Sequence, residues 1–226
     1  MSNIVRRLLY IVCYCPVVCC GQANLFEVGL GVPLYLKVNT ASGTVANESI
    51  LGATGVEIAV KINGSEENAI AFQQVIGITY DRIYFPPQEG TTLFSERLLA
   101  NINPSVIISS KWPNLKYNIG FGALLNMGES VSTSTNSSAT MGVFNSVDTI
   151  QSQLLGKSST ITPFISLGLV WEIKKHLRAQ ISAEQTLLNF YQPDTKITYQ
   201  QGYYQYVTLP VSYRPLYFGI KLFYFF

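Results

Sequence analysis

The chain has 226 residues, of which only 12% are charged and 48% hydrophobic. That length suits one or two domains, and all-β barrels of this size are usually one. A formal charge of +2 gives no argument for nucleic-acid binding, and no run of about 18 apolar residues offers a membrane helix. What remains unusual is the aromatic load, 14 Tyr and 12 Phe, more than a small soluble core hides comfortably.

In chain order, the first segment has the layout of a secretory signal peptide. Arg6 and Arg7 form a positive n-region, Leu8 to Cys20 a 13-residue apolar stretch, and Gly21-Gln22-Ala23 a small-residue cleavage site. The alternatives are an N-terminal anchor, for which the stretch is short, and lipoprotein processing at Cys19 or Cys20, for which Pro-Val-Val is a poor preceding motif. Loss of residues 1–23 removes all four cysteines and both arginines, leaving 13 cations against 13 acids in residues 24–226. Such an exported domain is stabilised without disulfides.

From there the chain alternates. Side chains on a strand point to opposite faces with period two, so a strand with one face in lipid carries its apolar residues on one parity. Phe26 to Val38 is apolar at every even position, with Glu27, Gly29, Gly31, Pro33, Tyr35 and Lys37 between. Val56, Ile58, Val60 and Ile62 alternate with Gly55, Glu57, Ala59 and Lys61. Phe72, Ile76, Ile78 and Tyr80 alternate with Gln73, Gly77, Thr79 and Asp81, although Gln74 and Val75 break the parity. Leu98 to Trp112 opposes Arg97, Asn101, Asn103, Ser105 and Lys111, and Leu115 to Met127 opposes Lys116, Asn118, Gly120, Gly122 and Asn126. Ile161 to Ile173 opposes Thr162, Ser166, Gly168 and Glu172. Leu177 to Phe190 gathers Arg178, Gln180, Ser182 and Glu184 on one face, and the last segment sets Leu216, Phe218, Ile220, Leu222, Tyr224 and Phe226 against Gly219 and Lys221.

The connections alternate too. Residues 63–68, 112–114 and 174–176 are short turns; residues 40–50, 86–96, 128–160 and 191–211 are longer polar links. A soluble β-sandwich has no reason for this rhythm, whereas a membrane barrel has short periplasmic turns and long extracellular loops. Strands cross hydrocarbon only by closing on themselves, because no water is there to pair a free edge. The expected fold is therefore all-β, an eight-stranded antiparallel up-and-down transmembrane β-barrel over residues 24–226.

Eight strands enclose a space that side chains just fill. The inward parity carries Glu27, Lys37, Glu57, Lys61, Asp81, Arg97, Lys111, Lys116, Glu172, Arg178, Glu184 and Lys221, seven cations and five acids. Buried charges must pair, so an interlocked lumen network is expected, with inward glycines (Gly29, Gly31, Gly120, Gly122, Gly168, Gly219) making room; a narrow channel for ions or small solutes is the competing arrangement. Tyr35, Tyr80, Tyr84, Trp112, Tyr117, Trp171 and Tyr224 are candidates for interfacial aromatic girdles.

A signal peptide, eight alternating strands and a terminal Phe resemble the small outer-membrane barrels of Gram-negative bacteria. The ending RPLYFGIKLFYFF and the stretch PFISLGLVWEIKKHLRAQIS are most similar to the PorT-like barrel proteins of Bacteroidetes. That resemblance implies the cell outer membrane as location, and a last strand whose Leu222, Tyr224 and Phe226 are read by the barrel-assembly machinery. It also implies that some relatives serve type IX secretion or gliding.

Chemistry finds little footing. Outer-membrane enzymes generally need a histidine near the extracellular rim, and the single histidine, His176, lies in a short turn beside Lys174 and Lys175. Glu66-Glu67 reads as a solubilising pair in a polar turn. No enzyme activity, cofactor, metal or nucleic-acid partner is expected. Loop 130–159 has a Ser/Thr-rich front half and, from Met141 to Leu155, Val143, Phe144, Val147, Ile150, Leu154 and Leu155 at the spacing of a short amphipathic helix. Asp148-Thr149-Ile150 resembles a Bacteroidetes O-glycosylation acceptor. Loop 191–206 holds five tyrosines, which suit protein or glycan contact and equally suit a loop packed on itself. The expectation is a monomeric barrel, meeting outer-membrane lipid around its wall and a protein or glycan partner at these two loops.

Overall fold

The computed structural model describes residues 26–41, 53–63, 70–85, 91–112, 114–135, 150–201 and 204–226. The expected signal peptide and the Asp148-Thr149 acceptor lie outside the described residues. Among the described residues there are eleven strands: β1 Phe26–Asn39, β2 Ala53–Asn63, β3 Ile70–Tyr84, β4 Thr91–Ser109, β5 Leu115–Thr135, β6 Ile150–Leu155, β7 Ile161–Lys174, β8 Leu177–Thr186, β9 Lys196–Gln201, β10 Tyr204–Pro210 and β11 Pro215–Phe225. Eight close into an antiparallel barrel in the order β1-β11-β8-β7-β5-β4-β3-β2. Closure is made by the last strand on the first, with Gly29 opposite Phe225 and Asn39 opposite Pro215.

The alternation read in the sequence becomes two surfaces. Val28, Leu30, Val32, Leu34, Leu36 and Val38 of β1 face out and are exposed, as are Phe218, Ile220, Leu222 and Tyr224 of β11, while Lys37, Glu57, Asp81, Arg97 and Lys221 are buried. A soluble monomer rarely shows a contiguous apolar patch beyond a few hundred Å²; here the belt runs round the cylinder. Val28 to Val38 is 11 residues, the length a tilted strand needs to cross hydrocarbon.

Several expectations change. Val75 faces the lumen and is buried with Ala59, Phe223 and Phe225, while Gln74 turns outward and its side-chain amide donates to the Val75 carbonyl at 3.1 Å. The register across β2, β3 and β4 runs through both without a shift, so the parity break is a composition change and not a bulge. The described parts of the links 86–96 and 128–160 contain strand: β4 begins at Thr91 and β5 continues to Thr135, pairing strand with strand above the membrane belt. A bulge between Leu98 and Leu99 of β4 sets Leu98 opposite Gly128 and Leu99 opposite Asn126. It skips Met127 and reverses the parity of β5 beyond it. The helix expected over Met141–Leu155 is not found in its described part, where Ile150–Leu155 is strand β6. That strand pairs β9, and β9 pairs β10, in a separate three-stranded sheet. The seventh segment ends as a strand at Thr186, and Phe190 beyond it is fully buried.

Candidate functional site

The lumen holds the ionisable groups in three tiers, set by the level at which each strand crosses. Nearest the long-loop end, Asp81 of β3 receives Lys37 Nζ from β1 at 2.5 Å and the Arg97 guanidinium from β4. Tyr217 OH donates to the same carboxylate at 3.3 Å. In the middle, Lys221 of β11 reaches Glu184 of β8 at 2.7 Å and Glu57 of β2 at 3.1 Å, and Glu57 also accepts from Tyr35 OH at 2.9 Å and Asn101 Nδ2 at 3.2 Å. At the short-turn mouth, Glu172 meets Lys116 at 3.0 Å and Arg178 at 3.2 Å, Glu27 takes the other arm of Arg178, and Lys61 lies 3.9 Å from each acid. The mouth groups are the wetter ones: the Glu27, Lys116 and Glu172 side chains are 32%, 26% and 28% exposed, against 5% or less for all the partners in the two inner tiers. Water therefore screens the mouth, while the inner pairs must satisfy one another directly.

Eleven of the twelve charged residues expected in the lumen thus lie inside it or at its mouth. Lys111 is the exception: β4 ends at Ser109, and Lys111 sits exposed in the following turn. Tyr35 is not a girdle residue. It is 3% exposed, packs edge-to-face on Tyr217 at 5.7 Å, and its odd parity in β1 had already placed it on the inward face. Tyr80, Trp112, Tyr117, Trp171 and Tyr224 do face outward.

Aromatic and aliphatic side chains close the lumen on both sides of the two inner tiers. Toward the short-turn end Phe223 and Phe225 fill the bore with Ala59 and Val75, and the Arg178 guanidinium lies 4.1 Å from the Phe225 ring centroid. Room for them comes from β1: a Cβ on Gly31 would stand 2.3 Å from the Phe223 ring, and one on Gly29 2.9 Å from Phe225. Toward the long-loop end Ile83, Phe85, Leu93, Leu99, Leu124 and Phe164 meet Phe190, Tyr191, Ile197, Val211 and Tyr213 from the segment between β8 and β11. Arg97 is caught beneath this lid, 4.1 Å from the Phe190 centroid and 5.4 Å from Tyr213.

The sequence reading missed Glu129. Once the bulge has reversed the parity of β5, Glu129 accepts from Ser95 Oγ at 2.5 Å and from Tyr191 OH at 2.8 Å, tying the lid to the barrel. Burial raises the Tyr191 phenol above its ordinary pKa, which keeps it a donor. Strict alternation from Leu115 gave no sign of this; the adjacent Gly128 was the available hint, since glycine inside a strand often marks a bulge. His176 is engaged elsewhere: its Nδ1 lies 3.0 Å from the Phe225 carbonyl and its ring stacks on Tyr224 at 6.0 Å. Among the described residues no three His, Asp or Glu side chains converge as a metal set.

A closed cylinder with an apolar exterior and a charged interior is a transmembrane β-barrel, here with its lumen filled by its own side chains. Its shape is similar to that of known outer-membrane barrels. Escherichia coli outer membrane protein W matches at a TM-score of 0.49 and 13% identity over 92% of this chain and 100% of that one. A major outer membrane protein of Thermus thermophilus matches at 0.48 and 8%, over 91% and 100%. OprG of Pseudomonas aeruginosa matches at 0.47 and 10%, over 91% and 97%. No protein-family profile matches the chain, and neither does the sequence of any curated protein. What the lumen can do is decided by this chain's own side chains.

Proposed function

We propose that this protein is a non-conducting, non-enzymatic barrel of the bacterial outer membrane, a structural, surface-interaction or secretion-associated component whose working surface is the long-loop end. The observation that carries it is the double closure of the lumen around the two inner tiers, by Phe223 and Phe225 on one side and by the Phe190, Tyr191, Tyr213 and Ile197 lid on the other. A channel needs a continuous wet path, and side chains that bury Lys221 and Asp81 to 1% and 0% exposure leave none at those levels. The energy spent on ordering β6, β9 and β10 into a sheet outside the barrel suits a surface offered to a protein or glycan. The PorT-like kinship suggested by the terminal strand would place that partner among secretion or gliding components. Planar-bilayer recording of the purified barrel tests the proposal: no steady current is expected beyond baseline, and reproducible unitary conductance at moderate voltage overturns it.

A further inference from the structure

On the outer wall, two depressions of ≈570 and ≈420 Å³ lie over β5, β7 and β8 and share Leu169 and Ile181. They form one trough, each part within the roughly 300–1,000 Å³ of ordinary small-molecule sites. At the short-turn rim the trough opens between Trp112 and Trp171, which are 65% and 57% exposed. Lys111 precedes Trp112, Lys174 ends β7, and Lys175 and His176 form the turn that follows, all of them exposed. The two turns are joined, because the Glu172 N–H donates to the Asn114 carbonyl at 2.9 Å. That bond brings both sets of lysines to one sector of the rim.

Among the described residues none of Lys111, Lys174 and Lys175 pairs with an acid, and the neighbouring acid of β7, Glu172, is turned inward onto Lys116 and Arg178. Ammonium groups bind phosphate as point charges, and indoles settle at the level of lipid headgroups. Three unpaired lysines over two indoles and an apolar trough together match an amphiphile with an anionic head.

We infer that the β5–β7–β8 sector binds one anionic phospholipid of the phosphatidylglycerol type. Its phosphate lies at Lys111, Lys174 and Lys175, and an acyl chain runs past Trp171 along Leu169 and Ile181. The inference rests on the barrel spanning a bilayer and is independent of whether the lumen conducts. The test is native mass spectrometry of the intact barrel given equal amounts of phosphatidylglycerol and phosphatidylethanolamine, with the mobility of unheated samples on gels reporting the folded barrel. The wild type retains a single phosphatidylglycerol in preference. The K111Q/K174Q/K175Q variant loses that preference, by on the order of 100-fold if each lysine contributes about fivefold. Raising salt from about 0.05 to about 0.5 M lowers the wild-type preference by screening, a readout that needs no variant. Equal retention of the two lipids by the wild type, an unchanged preference in the folded triple variant, or a preference indifferent to salt each overturns the site.

Discussion

Lys221 is the most informative residue to remove, because two acids depend on it. Its ammonium is the only cation within ion-pair distance of Glu57 and Glu184 among the described residues, and all three groups are buried. Glu57 Oε2 already has no hydrogen-bond partner among the described residues. Lys221→Met keeps the length of the side chain and the packing near Tyr35, whose ring centroid lies 5.1 Å from Nζ, but it leaves two carboxylates facing each other in the bore. Breaking a buried pair by removing one partner costs about 3–5 kcal/mol. With a urea dependence of about 2 kcal/mol per molar, the midpoint of reversible unfolding from lipid vesicles should fall by roughly 2 M. Trp112 and Trp171 at the short-turn rim supply the fluorescence signal. The companion variant Lys221→Met/Glu57→Gln/Glu184→Gln should recover at least half of the loss, because amides can share hydrogen bonds where carboxylates repel. A shift of Lys221→Met below about 0.5 kcal/mol, or a triple variant no more stable than the single one, would refute the view that the middle tier is held by charge compensation.

Other outcomes follow from the same geometry. Gly31→Val drives a side chain into the space of the Phe223 ring and should destabilise the barrel by about 1–3 kcal/mol, an effect that Gly31→Val/Phe223→Ala partly relieves in the same urea assay. Ile197→Ser places a hydroxyl in the buried lid, where Ile197 is 1% exposed; limited proteolysis should then cut between β8 and β11 much faster, while the unheated gel mobility of the barrel stays folded. Phe226 is 72% exposed, and its ring packs edge-on against Tyr224. Phe226→Ala should therefore change unfolding in vesicles by less than about 1 kcal/mol yet lower assembly into the membrane of living cells, and normal cellular assembly would remove the recognition role assigned to it.

The barrel itself was legible because one physical rule acts on every strand. Hydrocarbon outside and a packed bore inside enforce period two across Phe26–Val38 and Leu216–Phe226 alike, so parity alone located Lys37, Glu57 and Lys221 on the inward face. Parity failed where the solvent changes. Above the belt, β3, β4 and β5 continue as paired strands although Arg82 and Glu96, both on the outward face, now meet each other. The apolar signal ends there but the hydrogen-bond ladder does not, and the polar stretch 86–96 consequently reads as loop. The lid was illegible for a related reason: Ile150, Leu154 and Leu155 satisfy helical spacing as well as a short strand, and pairing with β9 decides between them. Glu129 needed a single skipped residue, Met127, to change faces, and no periodicity test over Leu115–Met127 extends to it.

The tiers also supply a physical basis for the proposed seal of so polar a bore. At the upper level Lys37 and Arg97 face Asp81 and, opposite Arg97 on the next strand, Glu129; Lys221 against Glu57 and Glu184 leaves one negative charge in the middle; Lys61, Lys116 and Arg178 against Glu27 and Glu172 leave one positive charge at the mouth. The middle level and the mouth are each charged alone and of opposite sign, so each draws the other toward it. Tyr35 and Tyr217 sit where the two upper levels meet, packed on one another with their hydroxyls directed to Glu57 and Asp81 respectively. A water file threading the bore would have to part this stack and desolvate charges whose compensation comes from the adjoining level. Between the lower two levels, Phe223 and Phe225 put a low-dielectric layer, which strengthens the attraction across it. In the proposed seal the aromatic plugs and the ion pairs act together: the rings keep water out, and a dry bore strengthens the pairing of the charges.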